Sequence, residues 1–486
     1  MRFSVTQNAS TADSQYRPRL TRKVLIVLCS INLIDAINFN ILTPYVVAMA
    51  STILQKPRGD PSVAMLVSIL VGSYSICEVL FSGLWGMLSD RIGRRPVLLI
   101  GLAGSAVAPI LFGFAKSVHF ALGARLMDGF FCGNASIIRT YLGEIVDASN
   151  EAKAFGSLAL TFSFGMVIGP LLGGLVSEPA KSFPLLFEGT VFDHYPYLLP
   201  NVVFAGLAFA ALLVGACALE ETKHARRQGQ VNTRETLVGV RGNDQVLQTP
   251  AKWSPRLVYA MLAMSLLYGY AALRLQSFIL VTALPRNLNG FALGPKEVGS
   301  VQTFAAFFTW STQIFLYERG IKKFGPHCCF MGGMGFTILL SLPFPAYCLL
   351  ADPAQFGSWR YVPIFAYQGI SQIGFSFSFP TSYLLVNREC QPHNRGAVNG
   401  WAHSCSALSR GLFPFVAGAL VRWGTDSEEL GLPGGRYVAL YVAVLVGLAD
   451  IWVLALLQKP SPTTCEHRVA ELPNVRQEAD TAEAKS

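Results

Sequence analysis

The chain has 486 residues, 52% of them hydrophobic and only 14% charged, whereas soluble domains average about a quarter charged. It could not cover its own surface in water, which excludes a soluble globular protein. The net charge of +9 is concentrated in inner connections between predicted spans and forms no basic patch interleaved with exposed aromatics, so a nucleic-acid partner is set aside.

Residues 1–23 are polar and basic and read as a cytosolic tail without a cleavable leader. Apolar runs near the roughly 20 residues that a helix needs to cross a bilayer follow at 24–49, 63–88, 97–115, 120–146, 153–177 and 197–219. They define a first six-helix bundle over 24–219, and the first run is expected to act as a signal anchor. Residues 220–256, rich in Arg, Gln, Asn and Thr, read as a cytosolic linker. Apolar runs resume at 257–284, 298–318, 326–350, 361–387, 397–423 and 437–457, giving a second bundle over 257–458. Residues 459–486 lack the apolar content to fold alone and are expected to be a disordered cytosolic tail. The expectation is an all-α membrane protein with twelve transmembrane helices in two six-helix halves.

Charge tests this map, because cytoplasmic loops should hold the excess of Lys and Arg. With both termini cytosolic, 25 of the 38 fall in inner segments and 9 in outer loops, and the other 4 lie within helices. Cys465 is the one cysteine of ten in a tail, and the spacing of the others fits neither a disulfide framework nor a metal site. They read as small apolar packing residues. Asn8-Ala9-Ser10 and Asn134-Ala135-Ser136 fit the glycosylation pattern, but one is placed in the cytosol and the other in a helix.

The connection between the second and third spans reads Gly86-Met87-Leu88-Ser89-Asp90-Arg91-Ile92-Gly93-Arg94-Arg95-Pro96. Its glycines permit a tight turn, Asp90 can accept backbone N–H groups at the next helix start, and the arginines can pair with acids of neighbouring inner ends. Arg139 and Glu144, at the inner end of the fourth span, are expected to meet Asp90, Arg94 or Arg95 as an inner gate. The matching connection of the second half, Glu318-Arg319-Gly320-Ile321-Lys322-Lys323-Phe324-Gly325, is a degraded copy. Two halves sharing loop chemistry suggest repeats with a substrate site at the midplane.

Residues 86–95 resemble the loop signature of the major facilitator superfamily, and the resemblance implies the major facilitator fold and secondary transport. Gly156, Gly165, Gly169, Pro170, Gly173 and Gly174 in the fifth span resemble, at every fixed position, that superfamily's antiporter motif. In a bilayer such glycines allow close backbone approach and Pro170 supplies a kink; ordinary small-residue packing is the plainer alternative. A finer resemblance, to the zinc-induced-facilitator-like branch of proton-coupled antiporters, runs through 35–44, 192–201 and 387–414. Its last segment holds Asn387-Arg388, Arg395-Gly396, Asn399-Gly400, Ser406, Arg410-Gly411 and Pro414. The chain departs from that branch in having no cysteine before Cys29 and only His224 in the central segment, which argues against zinc handling. The remaining histidines are scattered over different elements, so no metal site is expected.

A charge at the bilayer centre costs about 2.5 to 3.5 kcal/mol on insertion scales and normally faces a cavity or a partner. Asp35, with Asn32 and Asn38 on a similar face, is the candidate proton carrier or substrate contact, or else a hydrogen-bonded structural carboxylate. Arg125 and Asp128 are spaced to pair within one helix; a permanent pair is structural, whereas a protonated Asp128 would free Arg125 for an anionic group. Arg274 and Arg410 add charge to the second half with only Asp450 as a central acid there, so anionic or zwitterionic substrate groups are plausible. Glu78 could serve proton traffic or pair with an arginine.

The sequence therefore implies a proton-coupled antiporter, working as a monomer in the lipid bilayer of a plasma, vacuolar or other endomembrane. It would export a small-molecule substrate, an organic solute or metal chelate, by alternating access. A symporter or facilitator for an anionic nutrient is the alternative within transport, and a non-transporting sensor of the same fold the alternative outside it. Nucleotide-binding glycine loops, nucleophile elbows and a P-loop lysine are absent, so neither an enzyme nor a cofactor is implied.

Overall fold

The computed structural model describes residues 21–146, 151–221, 254–286, 290–349, 359, 361–390, 395–429 and 434–458. Most of the linker and both tails assigned from the sequence lie outside them. All twelve predicted segments are helical, and no strand occurs among the described residues. In chain order the first half has α1 (Arg22–Ile41), α2 (Val46–Leu54), α3 (Pro61–Ile92), α4 (Arg94–Gly113), α5 (Val118–Phe131), α6 (Asn134–Ile145), α7 (Glu151–Leu175) and α8 (Leu198–Ala218). The second has α9 (Pro255–Ala283), α10 (Pro295–Thr312), α11 (Glu318–Ser341), α12 (Phe344–Leu349), α13 (Val362–Glu389), α14 (Arg395–Glu429) and α15 (Val438–Gln458).

Eight of these helices, α1, α3, α4, α7, α8, α9, α14 and α15, are long and apolar enough to cross a membrane. The first, fourth and eighth predicted spans are interrupted or differ in extent, and each difference has a local cause. The predicted first span stops at Ile41, and Pro44, which has no N–H to donate, lies in the turn before α2. The predicted fourth span breaks at Cys132-Gly133. There the Trp85 indole of α3 donates to the carbonyl of Phe130, the acceptor that a continuous helix would offer to Asn134. The predicted eighth span ends later than 318: a π-turn at Gln313–Tyr317 joins α10 to α11, and the helical backbone continues to Gly325 (φ 76°, ψ 163°).

Gly93 (φ 113°, ψ 163°) makes the equivalent break between α3 and α4. Both glycines take backbone values open essentially to glycine alone, and both are followed by a helix carrying an early proline, Pro96 or Pro326. This is the repeat that the sequence suggested, with Gly93 matched to Gly325. The two turns mark one end of the bundle, here the motif end; the opposite end is the far end.

The halves join at the far end and part at the motif end. One apolar core runs through the first half and takes in Phe278, Ile279, Val281, Phe291, Val298 and Val421 of the second. A separate core built from Leu257, Met264, Phe330, Val386 and Leu457 stays within the second half. Helices α3 and α14 touch so closely that a Cβ on Gly72 would sit 2.6 Å from the Gly411 carbonyl oxygen. Gly83, three turns further along α3 toward the motif end and on nearly the same face as Gly72, is open: a Cβ there would meet nothing within 4 Å. Likewise α7 meets α10 where a Cβ on Gly174 would lie 2.8 Å from Gly299 Cα, whereas Gly156 at the other end of α7 is open. The spacing between the halves therefore widens, wedge-like, toward the motif end at Gly83 and Gly156, with Arg139 and the Tyr383 ring still 5.9 Å apart across it.

Candidate functional site

The glycines of α7 set the position of α1. Cβ atoms on Gly165 and Gly173 would overlap Ala36 and the Ile41 carbonyl, and one on Gly169 would stand 2.9 Å from Asn40 Cβ. Close approach of these two helices, fixed further by the Asn32 amide donating to Leu158 O at 2.9 Å, holds Asp35 against α3, α5 and α6. Its polar surroundings there are Asn134, Glu78, Asp128 and, without an ion pair at contact distance, Arg139, and its Oδ2 has no hydrogen-bond partner. Asn32 and Asn38, on a similar face of α1, turn to other helices: Asn38 donates to Asp128 Oδ1 at 2.8 Å.

Asp128 is fully engaged. Arg125 Nη1 reaches its Oδ2 at 2.7 Å with both side chains buried, and Arg125 Nε donates to Leu70 O at 3.2 Å. The guanidinium lies 4.7 Å from the Tyr74 ring centre. Arg125 and Asp128 are thus paired in this conformation. A cavity of about 10 Å³, lined in part by Asn38, Tyr45, Arg125, Asp128 and Asn201, adjoins it, room for about one water.

Arg410 does have an acid, which corrects the expectation that it has none nearby. Glu78, on α3 of the other half, accepts from Arg410 Nη2 at 3.2 Å through both oxygens. His403, expected to be isolated, brings Nε2 to 3.4 Å of the same carboxylate. The 7-residue spacing of His403 and Arg410, two turns on one helix face, was a usable signal. Arg274 pairs with no acid among the described residues and bonds to Tyr367 Oη at 3.0 Å and Gln368 Oε1 at 3.2 Å.

The motif loop differs from its expected wiring. Asp90 pairs with the Arg94 side chain at 2.7 Å, and the N–H groups of Arg94 and Arg95 that open α4 are taken by Glu221, at 3.0 and 3.2 Å. Glu221, assigned from the sequence to a featureless linker, is thus an anion at a helix N-terminus. Arg139 does not face that loop: its guanidinium lies 5.9 Å from the ring centre of Tyr383 on α13, across the wedge. The Glu144 side chain lies outside the described residues, and Arg91, Arg95 and Gly86 remain at the motif end, Gly86 with open space around it. Gly93→Ala should destabilise the fold by about 1–3 kcal/mol and more than Gly325→Ala, since its Cβ would also strike Glu221 while that of Gly325 meets nothing. Thermal unfolding of the two variants in detergent measures the difference.

Helical halves joined at one end, a glycine-packed α1–α7 pair and charged groups at the plane between the halves are the architecture of a secondary membrane transporter. The chain matches the Major Facilitator Superfamily over residues 28–414 and again over 266–478, and it belongs to that family. It is 24% identical to a major facilitator superfamily multidrug transporter of Aspergillus fumigatus, covering 83% of this chain and 79% of that one. It is also 24% identical to the zinc-induced-facilitator-like protein 1 of Arabidopsis thaliana, over 88% and 89% of the two chains. In three dimensions it is similar to the crystal structure of a human organic anion transporter, with a TM-score of 0.57 at 21% identity, covering 89% of this chain and 99% of that one.

Proposed function

We propose that this protein is a proton-coupled antiporter that exports a small organic solute or metal chelate from the cytosol by alternating access. In this reading the motif end is cytosolic, as the Lys and Arg bias requires, both termini are cytosolic, and a single chain suffices in a plasma, vacuolar or other endomembrane. The wedge is the route by which the solute enters. The observation that carries the reading is Asp35: Glu78 and Asp128 are held by arginines, whereas Asp35 keeps an unpartnered oxygen beside them. An acid without a fixed counter-ion can take up and release a proton at little structural cost. Similarity to a multidrug transporter and the complete glycine motif of α7 support export.

Flux in proteoliposomes under an imposed pH gradient tests it, using a panel of organic anions, drugs and metal chelates. The expected result is solute moving against the proton gradient, with Asp35→Asn lowering coupled flux by at least ~10-fold, as for loss of an essential proton-transfer group. Solute moving with protons favours a symporter for an anionic nutrient. Flux indifferent to protons and to Asp35 rejects both.

A further inference from the structure

The second half contains a buried cation that pairs with no acid among the described residues. Arg274, in α9, is 2% exposed and lies 5.1 Å from the ring centre of Phe375 and 5.4 Å from that of Tyr367. Both of its hydrogen bonds leave from Nη1, and its Nε has no partner. Asp450 is not its counter-ion, since both carboxylate oxygens of Asp450 are buried without a partner.

The arginine imposes a direction on its neighbours. A guanidinium only donates, so Gln368 must turn its oxygen toward Arg274 and its NH2 toward Gln302, whose Oε1 accepts at 3.1 Å. Gln302 is then left with its NH2 at the free end, and Nε2 is indeed buried without a partner. The polarity set on α9 passes through two amides and emerges as a donor on α10. Trp310 Nε1, two turns along α10, is another buried N–H without an acceptor. What the cluster lacks is an acceptor, and a negatively charged one would also answer the arginine.

Rings connect this cluster to the Glu78–Arg410 pair. Phe375 stacks on Phe379 at 5.4 Å, Phe379 meets Tyr268 at 4.9 Å, and Arg410 lies 5.4 Å from the Tyr268 ring centre. We propose that Arg274 and Gln302 bind the acidic group, a carboxylate or sulfonate, of an aromatic organic anion whose ring lies along Phe375 and Phe379. This rests on the transport reading and names its substrate class.

The test is fluorescence anisotropy with purified full-length protein and two xanthene dyes of similar size, anionic fluorescein and cationic rhodamine 123. Wild type should bind fluorescein at least ~10-fold more tightly than rhodamine 123, and Arg274→Gln should weaken fluorescein at least ~10-fold without weakening rhodamine 123. Arg274→Lys, which keeps charge but loses the fork, should fall between. Absent fluorescein binding, no preference for the anion, or an Arg274→Gln variant that binds fluorescein as wild type does would each overturn the assignment. If Arg274→Gln does not fold, Gln302→Leu takes its place. That variant should weaken fluorescein several-fold, about the worth of one charge-assisted hydrogen bond, and unchanged affinity overturns the site. Binding needs no pH gradient, so the two readings separate. Lost anion preference with intact Asp35-dependent proton flux removes the substrate class and leaves antiport; fluorescein binding without coupled flux does the reverse.

Discussion

Arg410→Leu should destabilise the protein by about 3–5 kcal/mol, the usual consequence of removing one partner from a buried ion pair. Glu78 is 6% exposed and accepts from Arg410 through both oxygens. Without the guanidinium its carboxylate keeps His403, 3.4 Å away, and the more distant charge of Arg139. Glu78→Gln in the same chain should recover much of the loss, because the uncompensated charge goes with the acid. Residues 332 apart in sequence make this pair, at the level where α3 and α14 begin to diverge. It therefore bears on how the halves are held together and not only on the stability of either one. A double-mutant cycle on detergent unfolding midpoints reads the coupling; effects of the two single changes that merely add, within about 0.5 kcal/mol, would show that the pair contributes nothing of its own.

Gly173→Val should cost about 3 kcal/mol, the upper part of the range for forcing volume into a packed interior, while Gly156→Val should leave stability nearly unchanged. The sequence motif treats these two glycines alike, but the structure does not. A Cβ at 173 would overlap the carbonyl of Ile41, a backbone atom that no rotamer change can move, and Pro44 stands 3.3 Å away. Relief requires α1 to move off α7, and Asp35 travels with α1. Gly156, at the open end, has nothing within 4 Å of its Cβ direction. Monodispersity and melting temperature of the two variants settle the matter, and equal effects would mean that close packing is not what the motif supplies at 173.

The long apolar runs were legible because the bilayer imposes one length and one polarity on every span. Where a helix breaks was less legible. Pro44 announces itself, but the break at Cys132-Gly133 depends on the indole of Trp85, 45 residues away, which no local pattern reveals. The Arg125–Asp128 pair lies within one helix turn and could be read from spacing alone. The Glu78–Arg410 pair could not, since it joins different halves, and the shared face of Asn32, Asp35 and Asn38 does not reveal that each asparagine donates to another helix. Glu221 escaped notice because the polar segment that follows it resembles a linker, and only the geometry of Gly93 shows that an anion is drawn to the start of α4.

The wedge between the halves has a consequence of another kind. In the alternating-access reading proposed above, closing the motif end would bring the open faces of α3 and α7 around Gly83 and Gly156 against the other half and exclude solvent from between them. Such a closure would carry a change in hydrated volume. Solutes too large to enter the wedge would then favour the closed form without binding anywhere on the protein, so crowding and osmotic pressure on the side to which it opens would act as effectors.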